Sequence, residues 1–156
     1  MATAFAVCMG AAVPATAQQS PRIEESFAVA LVRDALLAVN HANLTGNYTT
    51  LRDYASDSFH DANTATDLAL LLQRVRTERL DLLPVLSVEP VLDATTLSID
   101  GRIMRLTGHF PLQPRSITFD LEFVNEQGRW VIYGIAVGAF DSPAPQVAVD
   151  TPAASE

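Results

Sequence analysis

The chain has no lysine, one cysteine and three histidines in 156 residues. Each scarcity closes a class of function. All 10 basic residues are arginine, and 18 acidic residues outweigh them, for a formal charge of −8. Gripping a nucleic-acid backbone needs concentrated positive charge, and so does attraction to an anionic membrane surface. Neither partner is expected, and the charge serves solubility. The histidines, His41, His60 and His109, show no His-x-x-x-His spacing, whereas a zinc site needs three or four converging ligands. There is no glycine-rich phosphate loop, no nucleophile elbow and no metalloprotease helix. No cofactor and no metal are expected. The one cysteine, Cys8, lies in an apolar stretch near the start. Its loss with that stretch would exclude disulfides, thiol catalysis and cysteine-bound metal.

That stretch, Ala2–Val13, is built of small and apolar residues and is followed by Pro14 and Ala15-Thr16-Ala17. An A-x-A triplet after such a run is read by signal peptidase, here with cleavage before Gln18. The run is too short to span a bilayer. No arginine precedes it, so either the true start lies upstream or the amino terminus alone supplies the positive end. The expectation is an exported protein, periplasmic or secreted, with residues 1–17 as its signal peptide. At the other end, Asp141–Glu156 holds Pro143, Pro145 and Pro152 among Ala, Ser and Asp, which predicts a disordered tail. Between them, residues 20–140 make one domain. With 49% apolar residues, the chain can fill a core.

The first half of that domain reads as helix. Ser20-Pro21 supplies a capping hydroxyl and a proline for the first helical position. Phe27, Leu31, Ala35, Leu36, Val39 and Ala42 then recur at three- and four-residue steps, predicting an amphipathic helix over 21–44 that stops at Gly46. A short second helix fits 47–59, with Leu51, Tyr54, Ala55 and Phe59. Thr64-Ala65-Thr66-Asp67 is close to a capping box and opens a third helix through Leu68, Leu72 and Val75 to Arg79.

The second half alternates, as strands do. Val85–Val91 reads as a strand ending at Pro90. A turn at Asp100-Gly101 leads into Arg102–Phe110, where Met104, Leu106 and Phe110 share a face with Gly108. In Ser116–Val124, Ile117, Phe119, Leu121 and Phe123 are apolar while Thr118, Asp120 and Glu122 fall between them. Gly128 closes a hairpin with a bulge. Arg129–Val137 is apolar on both faces, so it is expected to be central or covered on both sides. The fold class is therefore α+β: N-terminal helices packed on a curved, cone-like antiparallel sheet of about four strands.

Thr45-Gly46-Asn47-Tyr48 leading to Leu51 and Phe59, and the closing Gly128-Arg129-Trp130-Val131-Ile132-Tyr133, resemble the nuclear transport factor 2-like (cystatin-like) superfamily over about residues 22–139. Parts of the sheet region also resemble exported bacterial domains of unknown function. The superfamily resemblance implies a cone between helices and sheet, in which its enzymes use an Asp or a His. The superfamily also holds isomerases, dehydratases, binding modules and assembly domains, so fold alone selects none of them.

Four side chains are candidate ligand contacts: Tyr54 on the second helical segment, Arg105 and His109 on one face of a strand, and Tyr133. If that face lines a cone, they meet a polar or acidic ligand; the alternation of Met104, Leu106 and Phe110 favours its facing water instead. His60, between Asp57 and Asp61, has the neighbours of a general base but sits in a solvated turn. The leading expectation is a non-catalytic exported domain binding a small apolar ligand or a protein partner. An isomerase- or dehydratase-type enzyme with an Asp or His in the cone is the second reading. A sheet-to-sheet homodimer, suggested by Trp130–Val137, is the third.

Overall fold

A computed structural model describes residues 23–143. The expected signal peptide, the expected Ser20-Pro21 cap and the expected tail beyond 143 lie outside the described residues. Five helices and one 3₁₀ turn precede four strands: α1 (Glu25–Thr45), α2 (Thr49–Tyr54), α3 (Asp57–Ala62), α4 (Ala65–Leu71), α5 (Gln73–Thr77), the turn Leu83–Leu86, then β1 (Val91–Leu97), β2 (Ile103–Phe110), β3 (Arg115–Glu126) and β4 (Arg129–Asp141). The class is α+β, as the patterning implies.

The helix α1 starts at Glu25, not at 21, because Glu24 is extended (φ −66°, ψ 133°). It ends where expected, with Gly46 in the left-handed conformation (φ 69°) that only glycine adopts cheaply. Its buried stripe is Ala28, Val32, Ala35, Leu36 and Val39. Phe27, expected in that stripe, is 45% exposed. The second predicted helix is two, broken at Ser56. That residue caps α3 through its side chain, accepting from the Phe59 N–H at 3.2 Å, while its own N–H donates to the Ile132 carbonyl of β4 at 2.8 Å. The third is also two, divided at Leu72; its capping box, Thr64 with Asp67, is present.

The strand expected at Val85–Val91 is absent. Leu83–Leu86 winds as 3₁₀ instead, because Pro84 carries a helical φ and the Leu83 N–H donates to the Asp81 carboxylate at 2.9 Å. Polar ties hold this segment on α1. Asn40 Oδ1 accepts from the Leu82 N–H at 3.2 Å, and Arg33 donates to the carbonyls of Val85 and Val88, both at 3.1 Å.

The four strands form one antiparallel meander in the order β1-β2-β3-β4. Thus β4 is an edge strand, not a central one. Its two-sided apolarity has another cause. Glu122 pairs with Gly134 while Phe123 pairs with Ile132, so Tyr133 is an inserted residue, a bulge that reverses the alternation beyond it. Ile132, Ile135 and Val137 then share one face with Phe123, Leu121 and Phe119. Gly134, Ala136 and Gly138 pair with Glu122, Asp120 and Thr118 on the other. The turn itself is the two-residue loop Gln127-Gly128, with φ of 53° and 86°, so the bulge lies along the strand and not at the turn. Asp93 is a second inserted residue, in β1.

One face of the sheet is dry. Met104, Leu106, Phe110, Phe119, Leu121 and Phe123 are each no more than 3% exposed and form one cluster with Val32, Leu36 and Val39 of α1. Burying each large side chain contributes about 1.5–3 kcal/mol. The interface where a cone was expected is thus packed with apolar side chains.

Candidate functional site

Two adjoining hollows lie on the outward flank of α1. One hollow, of about 420 Å³, runs between the C-terminal half of α1 and α2. Its apolar wall comes from Leu37, Ala38, Ala42 and Leu51, and its polar rim includes Asp34 and His41. A second, of about 340 Å³, lies between the N-terminal half of α1 and the β3–β4 turn, against Phe27, Leu31, Arg129 and Trp130. Asp34 and Tyr54 border both. The two hollows make one groove with a shared polar waist.

That waist is a hydrogen bond, with the Tyr54 hydroxyl donating to Asp34 Oδ2. The bond ties α2 to α1 across the groove. It also holds the Tyr54 phenol above its ordinary pKa: the bond to Asp34 raises it most, burial and the carboxylate's charge add to this, and the Arg129 charge opposes. The helix supplies this flank because Phe27, Leu31, Asp34, Ala38 and His41 follow three- and four-residue steps beside the buried stripe. This second row was the signal available in the sequence. It was hidden because Phe27 and Leu31 merged with the first row.

The four candidate contacts do not converge. Tyr54 alone borders the groove. Arg105 lies on the open face of the sheet, its Nε and Nη2 donating to both oxygens of Asp120 at 2.7 and 2.5 Å. This pairing holds the Asp120 carboxyl below its ordinary range, the Arg105 hydrogen bonds being the main cause. His109 shares that face, four residues and about 13 Å along the strand, edge-on to Phe140 with ring centres 5.9 Å apart. Asp93 is 3.9 Å from its Nδ1. Tyr133 occupies the β4 bulge and is 40% exposed. These positions put Arg105 and His109 on the face away from the helices, as the alternation favoured.

His60 sits on α3 within 3.5 Å of Asp53 and 3.2 Å of Asp61, half-open to solvent. Its backbone carbonyl accepts from Arg52 Nε at 3.2 Å, so the cluster is a surface staple between α2 and α3. Among the described residues, no three His, Cys, Asp or Glu side chains are grouped to hold a metal ion. No helix among them is long and apolar enough to cross a membrane. No protein-family model, no curated protein and no solved structure matches the chain.

Proposed function

We propose that the chain is an exported, non-catalytic binding domain of the nuclear transport factor 2-like kind, and that it takes a small, largely apolar ligand in the groove on the flank of α1. One observation carries the site. The 420 Å³ hollow has an apolar wall and a few polar groups at its rim, the usual composition of a small-molecule site. The helix–sheet interface, by contrast, is filled by side chains. The Ala-rich leader with its Ala15-Thr16-Ala17 triplet supports export. The resemblance of Thr45–Tyr48 and of Gly128–Tyr133 to that superfamily supports the superfamily reading.

The test uses the neutral fluorescent probe N-phenyl-1-naphthylamine. Its emission rises with wild-type protein. Ala38→Trp fills the hollow from a half-buried position outside the core, so it abolishes the rise and leaves the melting temperature within a few degrees. Equal emission with the variant, or none with wild type, rejects the groove. Export is checked by the intact mass of protein from the producing cell, expected to begin at Gln18; a chain retaining Cys8 rejects the leader reading.

A further inference from the structure

The second hollow carries chemistry that the first lacks. Three aromatic residues, Phe27, Tyr54 and Trp130, line it together with one carboxylate, Asp34. Among the described residues, Asp34 has no arginine within 4 Å, a condition it shares with most of the described carboxylates; what sets it apart is the aromatic lining beside it. Arg129 borders the same hollow but does not pair with Asp34.

We propose that this end of the groove binds the organic ammonium head of an amphiphile whose apolar body lies in the larger hollow. The inference rests on the groove being the ligand site. Aromatic rings attract a cation through the negative potential of their faces, and a nearby carboxylate adds to it. Arg129 lines the same hollow without an ion pair to Asp34, so the Asp34 carboxylate keeps its charge for a ligand. The two hollows share Asp34 and Tyr54, which places the charged head and the apolar body side by side. The formal charge of −8 also draws cations toward the protein.

Calorimetric titration with octyltrimethylammonium, octanoate and octanol tests this. The ammonium is expected to bind about tenfold more tightly than octanol, and octanoate more weakly than either. Asp34→Asn keeps an acceptor for the Tyr54 hydroxyl but removes the charge, so the ammonium falls to the affinity of octanol. Asp93→Asn, on the β1 bulge, removes the same charge elsewhere and leaves the preference intact. Trp130→Leu weakens the ammonium severalfold and octanol little. Octanol binding without a preference for the ammonium, a preference for octanoate, or equal loss in both Asp variants overturns the inference while the groove stands. Failure of all three compounds to bind overturns the groove itself.

Discussion

At Gly108, a single hydrogen atom is what the structure can accommodate. A Cβ there would sit 2.1 Å from the Val91 carbonyl oxygen and 2.8 Å from the Phe119 ring. The backbone of β1 and a core ring cannot both retreat. Gly108→Ala is therefore expected to cost about 1–3 kcal/mol, the usual range for overpacking, read as a lower midpoint in urea; an unchanged midpoint refutes the close approach. Gly134→Ala is the contrast. Its nearest neighbours are the Glu122 carboxylate at 3.1 Å, which can swing away, and the Glu122 Cβ at 3.3 Å, so it should cost clearly less than Gly108→Ala. The sequence showed Gly108 on the apolar face of its strand but not the pressure upon it, which comes from Val91, 17 residues away. Phe119, Leu121 and Phe123 were legible because alternation depends only on neighbours. Tyr133 was not. A bulge inserts a residue without altering composition, and tyrosine suits a regular strand as well as a distorted one.

The helices show the same divide between local and distant causes. The capping box at Thr64 was readable, since its partners are three residues apart: the Thr64 hydroxyl accepts from the Asp67 N–H at 3.2 Å, and the Asp67 carboxylate accepts from the Thr64 N–H at 2.9 Å. Thr64→Ala should cost about 1 kcal/mol, and Thr64→Ser should restore most of it; equal melting of all three proteins refutes the cap. The break at Ser56 was hidden because its N–H is claimed by Ile132 of β4. Val85–Val91 was misread as strand from its alternation; its first two residues end the 3₁₀ turn Leu83–Leu86, which Asn40 and Arg33 on α1 hold in place. Of the candidate site, Tyr54 was legible and its partner Asp34 was not, as the two lie 20 residues apart on different helices. Arg105 and His109 share a strand face, yet Arg105 is bound by Asp120 while His109 stacks edge-on to Phe140.

Across the whole molecule, exposed ion pairs and hydrogen-bonded carboxylates set the response to acid. The Glu78 carboxyl is held below its ordinary range, first by the Arg74 hydrogen bond and then by Arg115, which links α5 to β3. Asp120, Asp67 and Asp100 are lowered too, by Arg105, Thr64 and Ser98. A carboxyl that binds its proton more weakly folded than unfolded stabilises above the unfolded pKa, and that contribution is lost as pH falls through the folded one. The urea midpoint is therefore expected to hold from neutral pH to about 5 and to fall below about pH 4. Glu78→Gln should flatten that fall, and added salt should shrink it, because the pairs are exposed and screened. A midpoint that rises toward acid would show that relief of the −8 self-repulsion outweighs the pairs.

Among the described residues, all the helices precede all the strands. During synthesis, Val32, Leu36 and Val39 therefore leave the ribosome before Leu121 and Ile135 exist to receive them. At about 5–20 residues per second, the wait is on the order of several seconds. Translation pauses between residues 86 and 115 would prolong that vulnerable interval, and slowing codons placed there should raise the aggregated share of nascent protein more than the same codons placed after Arg129.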